Sequence, residues 1–140
     1  MTQIDAKWLK RYRLLFVAAA FWNIAAVIGA LGRPAYHRSL FFAKSIQEPG
    51  FIGHLNTVGF WGSVLVFGIG YAIVAMDPRK NHGIIWMAII GKLFVAVWWA
   101  WYFFQGKLTS FALTGAIGDA VFAFIFLGFL SHYKKLSSSD

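Results

Sequence analysis

Residues 84–104 read IIWMAIIGKLFVAVWWAWYFF, an apolar run with a single charged residue, Lys92. A helix needs about 20 apolar residues to cross the hydrocarbon core of a bilayer, and this run is long enough. The turn formers Gln105-Gly106-Lys107 follow it, and a second apolar run begins directly after them. These two runs predict two membrane-spanning helices joined by a tight hairpin.

Two further apolar runs precede them, so the sequence predicts an all-α protein with four transmembrane helices. Short links force neighbouring helices to run antiparallel, which gives a four-helix bundle as a single integral membrane domain over residues 1–140. The predicted spans lie at about 14–31, 57–76, 84–104 and 109–131.

The composition agrees with a membrane protein, because 59% of the residues are hydrophobic and only 13% are charged. Soluble domains carry about 25% charged residues. The formal net charge is +8, but the basic residues lie at the ends of the apolar runs, as membrane anchors do, so no nucleic-acid partner is expected. The chain has no cysteine, which excludes disulfides, thiol catalysis and Cys-ligated metal centres.

The positive charges also predict the orientation. Four basic residues fall on the side that would face outward: Arg33, Arg38, Lys44 and Lys107. Eight fall on the other side: Lys7, Lys10, Arg11, Arg13, Arg79, Lys80, Lys134 and Lys135. This bias predicts that both termini are cytoplasmic. The long connection from Gly32 to Asn56 would then lie outside, either as an interfacial helix on the membrane surface or as a lid over a cavity between the helices.

Two ionisable residues lie inside predicted spans, Lys92 and Asp119. In a hairpin of spans three and four their depths differ by roughly 6 Å, which a lysine side chain can bridge, so we predict that they pair. Asn23 falls at a similar depth in span one and would complete an intramembrane polar centre. This centre either fixes helix register or serves a charged ligand or a proton.

Aromatic residues crowd the end of span three and suggest a ligand pocket. Trp101 and Tyr102 are typical of an interfacial aromatic belt, whereas Trp98 lies deeper, where a flat lipophilic ligand could stack. His54 and Asn56, at the mouth of span two, are candidates for holding a ligand headgroup. Small residues also form a stripe in span two, which includes Gly59, Gly62 and Gly70 and predicts close helix packing or dimerisation.

Several enzyme classes lack their residues in this sequence. The histidines fall in loops or at span ends rather than facing each other inside helices as haem ligands would, and one acid within the spans is too few for a di-iron site. Phosphate-binding loops and nucleophile elbows are also missing. We therefore expect no catalytic residues and no metal site, and the sequence identifies no cofactor.

Three segments resemble the DoxX-like superfamily of small four-helix bacterial membrane proteins. They are Asp77-Pro78-Arg79, the pair Gly91-Lys92, and the run Gly118-Asp119-Ala120-Val121-Phe122-Ala123 with Phe126. The resemblance covers residues 66–130 and implies a four-helix bundle in a bacterial inner membrane. It also implies an association with quinone-linked oxidoreductase complexes.

Three functions agree with these features. The leading hypothesis is a non-catalytic accessory subunit of a membrane complex, or a binder of a lipophilic ligand such as a quinone or lipid. One alternative is a small oligomeric ion- or proton-coupled transporter or channel that uses Lys92 and Asp119. The other is a subunit of a quinone-linked oxidoreductase. The expected partners are membrane lipid and either other membrane subunits or further copies of this chain.

Overall fold

The structure, a computed structural model, describes residues 3–44, 46 and 50–137. Five helices follow one another within these residues: α1 (Gln3–Gly32), α2 (Pro34–Phe41), α3 (Phe51–Met76), α4 (His82–Phe104) and α5 (Ser110–Ser137). Four of them, α1, α3, α4 and α5, are long and apolar enough to cross a membrane. The prediction of an all-helical protein with four such helices is confirmed.

Two of the long helices begin earlier than the sequence predicts. Helix α1 begins at Gln3 rather than near residue 14, and α3 begins at Phe51 rather than near residue 57. The added turns of α1 carry Trp8, whose ring stacks on that of Phe129 in α5 at 5.3 Å. Basic residues are good helix formers, so an apolar run sets where a helix can enter lipid but not where the helix itself starts.

The connection after α1 contains the short helix α2. Pro34 occupies its first turn, where the missing backbone N–H needs no partner. Phe41 at its last position is buried, with its ring 5.1 Å from that of Trp99 and 5.3 Å from that of Phe111. Helix α2 therefore packs against the long helices through Phe41, and the lid and interfacial-helix interpretations both stay predictions.

Helix α2 is fastened to the turn between α4 and α5. The Thr109 side-chain hydroxyl donates a hydrogen bond to the carbonyl oxygen of Leu40, and the Thr109 backbone N–H donates to that of Phe41 at 2.9 Å. The Ala43 N–H donates to the Lys107 carbonyl oxygen at 3.0 Å. These bonds hold the end of α2 against the start of α5.

The predicted tight turn between α4 and α5 is present at residues 105–109. Gly106 has φ = +69°, a left-handed conformation that suits glycine because other residues meet a steric penalty there. The end of the molecule formed by α2 and this turn is called the α2 end below.

The two ends of the described chain lie together at the opposite end, called the terminal end. The ring of Trp8 lies 4.7 Å from that of His132, and the ring of His82 lies 4.5 Å from that of Tyr133. A cluster of fully buried side chains fills the interior there: Phe16, Val74, Ile85, Phe126 and Phe129.

The outward surfaces of the long helices are apolar. Phe21 in α1, Ile73 in α3, Ile90 in α4 and Phe124 in α5 are all exposed, whereas Lys92 is buried. In water such a surface would be unfavourable, but against lipid chains it costs nothing. This distribution is that of an integral membrane protein.

The glycine stripe of α3 does not form one close-packed face within the chain. A Cβ atom at Gly59 or Gly62 would meet nothing within 4 Å, so these positions lack the close contacts that the stripe predicts. The tight position is Gly68, where an added Cβ would lie 3.2 Å from the Asn23 Cβ of α1. Gly70 is also close-packed, against Ile84 at 3.2 Å.

Candidate ligand-binding site

A polar centre lies between the long helices, about midway along them. The Lys92 Nζ donates to Asp119 Oδ1 at 2.5 Å and to Asn23 Oδ1 at 3.3 Å. The Asn23 Nδ2 in turn donates to the Val64 carbonyl oxygen at 3.1 Å, which fixes the orientation of the amide. The predicted contact between Lys92 and Asp119 is therefore present, and Asn23 joins it.

Tyr71 is a member of this centre that the sequence analysis missed. The Lys92 Nζ lies 5.4 Å from the centroid of the Tyr71 ring and 5.3 Å from that of Phe122. The Tyr71 side chain is almost fully buried, at 1% exposure. Each long helix thus contributes one polar residue: Asn23 from α1, Tyr71 from α3, Lys92 from α4 and Asp119 from α5.

Small residues make room for the ion pair. On α4, buried Ala88 and Ala96 lie four residues before and after Lys92, and on α5 buried Ala116 and Ala123 flank Asp119. A spacing of three or four residues places side chains on the same face of a helix. The two helices approach closely along these faces, and Lys92 and Asp119 meet between them.

The centre carries no net charge, since one ammonium faces one carboxylate. An isolated charge at the middle of a bilayer costs about 2.5–3.5 kcal/mol on insertion scales. Here Lys92 has a carboxylate, an amide oxygen and two aromatic faces as partners, so its ammonium group is not isolated. The side chains of Lys92 and Asp119 are only 5% and 16% exposed.

A cavity of about 750 Å³, here called the deep cavity, extends from α2 to the polar centre. Asn23, Tyr71, Lys92 and Asp119 line one end of it, and His37 lines the other. Its walls are otherwise almost wholly apolar and mostly aromatic: they include Trp22, Phe60, Phe67, Phe94 and Phe111. An apolar body with one polar end matches this lining.

A second cavity of about 540 Å³, here called the shallow cavity, lies at the α2 end. Four of the pocket residues singled out from the sequence line it: His54, Asn56, Trp98 and Tyr102. The rings of Trp98 and Tyr102 stack with their centroids 5.9 Å apart. Trp101 lines neither of these cavities and is more than half exposed, as a residue of an interfacial aromatic belt would be.

The two cavities share an aromatic partition, which consists of His37, Phe41, Phe60, Trp61 and Trp99. His37 stacks on Phe41 at 4.1 Å and meets Trp61 edge-on at 4.9 Å. Its Nε2 is enclosed and has no hydrogen-bond partner among the described residues. Burial lowers the pKa of His37 below its ordinary value of 6.5, because the charged imidazolium loses solvation there.

Three of these partition residues had a signal in the sequence that the analysis did not use. Trp99 follows Lys92 by seven residues and therefore lies on the same face of α4. His37 and Phe41 are four residues apart, which places them together on one face of α2.

Within the described residues there is no group of three His, Cys, Asp or Glu side chains that could hold a metal ion. Comparisons of the chain with protein-family models, with curated proteins and with solved structures found no match. The chemistry of the two cavities is therefore the basis for a functional proposal.

Proposed function

We propose that this protein is non-catalytic and binds a lipophilic ligand, a lipid or a quinone, in the deep cavity. The observation that carries the proposal is that an apolar cavity of about 750 Å³ ends on the polar centre. Small-molecule sites are mostly apolar cavities of ~300–1,000 Å³ in which a few polar groups orient the ligand.

The ligand is expected to have an apolar body and a polar end. The ammonium group of Lys92 can donate to a carbonyl or hydroxyl oxygen, and the Asp119 carboxylate can accept from a hydroxyl. The aromatic walls suit a ring or an unsaturated chain. Because Lys92 and Asp119 neutralise each other, the site favours an uncharged polar group over an ion.

Proton- or ion-coupled transport through Lys92 and Asp119 is a second candidate. It is supported by the access of both side chains to the deep cavity. Against it stands the packing at the terminal end, where Phe16, Phe126 and Phe129 are fully buried beyond the polar centre. A conducting path would require this aromatic cluster to separate, so binding is the better-supported function.

We also propose that the protein serves a larger membrane complex as an accessory subunit. The resemblance to the DoxX-like superfamily supports this role, and it points to a quinone-linked oxidoreductase in a bacterial inner membrane. In that arrangement the partner supplies the redox cofactor, and this chain supplies a site for the lipophilic molecule.

The proposed topology is an antiparallel four-helix bundle with both termini cytoplasmic. Contacts between α4 and α5 support the antiparallel arrangement, since they proceed from His82–Tyr133 through Lys92–Asp119 to Trp99–Gly115. The excess of basic residues at the terminal end supports the orientation. Because the chain lacks cysteine, Asn81→Cys and Gln105→Cys report it directly: on intact cells an impermeant maleimide should label only Gln105→Cys.

The binding proposal is tested by filling the deep cavity. Gly29 lines it, and an added Cβ there meets nothing within 4 Å, so Gly29→Leu puts a side chain into the space without a clash at its base. Gly59→Leu is the matched control, because that glycine is equally unobstructed and lines neither cavity.

Native mass spectrometry of protein gently extracted from its own membrane gives the readout. We expect the wild type and Gly59→Leu to retain a lipophilic molecule and Gly29→Leu to lose it. Retention that is the same in all three proteins would overturn the proposal, since the molecule would then lie on the outer surface. A wild type with nothing bound would also overturn it and would direct attention to transport.

A further inference from the structure

The outward face of α1 changes from basic to apolar along its length. Lys7, Lys10 and Arg11 are exposed, and one turn further on the exposed residues are Leu14, Val17 and Phe21. Spacings of three and four residues place all six on one side of the helix. This surface is called the α1 outer face.

The opposite side of α1 is the one that packs into the protein. Leu9, Phe16, Ala20 and Asn23 are buried there, and Trp8 and Tyr12 pack against Phe129. The α1 outer face is therefore the part of the helix that remains for lipid.

Among the side chains that the structure describes, the cations of this face have no acidic partner: Lys7, Lys10 and Arg11 form no ion pair there. At the same end of the molecule, by contrast, Lys80 reaches the Asp77 carboxylate at 3.7 Å. Three neighbouring cations with no counter-charge among the described side chains attract an anion.

The length of the face matches one leaflet of a bilayer. Arg11 and Phe21 are ten residues apart, which is roughly 15 Å along the helix axis. Half of a hydrocarbon core about 30 Å thick is the same distance. The basic group thus lies at headgroup depth when the apolar residues lie alongside acyl chains.

We propose that the α1 outer face binds an anionic phospholipid. Its phosphate group contacts Lys7, Lys10 and Arg11, and its acyl chains lie along Leu14, Val17 and Phe21. A phosphate supplies the negative charge that the three cations lack, and the chains cover the apolar surface that continues from them. A second copy of this protein is a poor occupant, because pairing two such faces would bring six cations together.

The test compares two variants that lose the same charge at the same end. The first carries Lys7→Gln, Lys10→Gln and Arg11→Gln. The control carries Arg79→Gln, Lys80→Gln and Lys134→Gln, which lie at the same end of the molecule but outside α1. The charge bias that orients the protein changes equally in both, so a difference between them reports the face itself.

Each protein is purified in mixed micelles of phosphatidylglycerol and phosphatidylcholine, and native mass spectrometry counts the lipids retained. We expect the wild type and the control to prefer phosphatidylglycerol. The first variant should lose this preference by about tenfold, since each Lys or Arg near a membrane surface adds measurably to anionic-lipid binding.

Equal losses in both variants would overturn the proposal, because the effect would then be one of bulk charge. No loss in either, or a wild type that dimerises instead of holding lipid, would also overturn it. Gly29→Leu should leave phosphatidylglycerol retention unchanged. The result is therefore independent of whether the deep cavity binds a ligand.

Discussion

Lys92 of α4 and Asp119 of α5 form an ion pair with 2.5 Å between Nζ and Oδ1, enclosed among the four long helices. Asn23 and Tyr71 surround the pair from the other two helices. The contact therefore joins all four elements at one point. It also forms the polar end of the deep cavity, so it can stabilise the fold and orient a ligand at once.

Exchanging the two charges tests the structural part of this role. Lys92→Asp or Asp119→Lys alone leaves like charges facing each other in an enclosed place, and breaking a buried pair typically costs about 3–5 kcal/mol. The double exchange restores one cation and one anion, so we expect it to recover 1 kcal/mol or more of the combined loss, about what contacting residues show in double-mutant cycles. Thermal unfolding in detergent micelles measures it. If the stability loss of the double variant equals the sum of the losses of the two single variants, Lys92 and Asp119 have no coupling energy.

Replacing the pair by apolar residues separates stability from ligand binding. In Lys92→Met with Asp119→Leu, neither charge remains to be solvated, and buried pairs exchanged for apolar residues of similar volume are often as stable or more so. We expect a melting temperature at or above that of the wild type. Retention of the lipophilic molecule in native mass spectrometry should nevertheless fall, because the cavity has lost its polar end. A variant that binds as well as the wild type would make the pair purely structural.

The polar centre could be predicted in part because charge within an apolar run is conspicuous. Lys92 and Asp119 are ionisable residues inside the spans, and helix rise alone places them at similar depth. Tyr71 gave no such signal, since a tyrosine near the end of a span is ordinarily assigned to the interface. Its inclusion depends on how α3 is rotated about its axis, which the uniformly apolar sequence around it does not indicate.

The pocket shows the same limit on rotation. Trp98, Trp99 and Trp101 are close in sequence, but only Trp99 shares the face of α4 that carries Lys92, while Trp101 faces away from the protein. When a helix is apolar on all sides, the sequence does not indicate which side faces the protein interior. The number of spans was predictable from hydropathy, whereas the early start of α1, whose added turns carry Trp8 packed on α5, was not.

Gly68 is expected to be the glycine of α3 that tolerates no larger side chain. An added Cβ would lie 3.2 Å from Asn23 Cβ and 3.6 Å from the Ala20 carbonyl oxygen, and these are atoms that cannot move without the backbone of α1. Gly68→Leu should therefore destabilise the protein by about 1–3 kcal/mol. Gly59→Leu is the control and should stabilise it by up to about 1 kcal/mol through helix propensity. Thermal unfolding of both variants measures the difference. A Gly68→Leu protein as stable as the control would contradict the close contact between α1 and α3.

His37 is expected to make the protein less stable as the pH falls from 7.5 to 5.5. Burial holds its pKa below 6.5 in the folded protein, so the unfolded chain binds the proton first and stability declines as the pH drops past that value. The contribution is at most about 1.4 kcal/mol per pH unit. The His37→Leu variant keeps Arg38 and His54 beside the shallow cavity. Its melting temperature should fall less than that of the wild type over the same pH range. Parallel pH profiles for the two proteins would show that the imidazole is not held neutral within the aromatic partition.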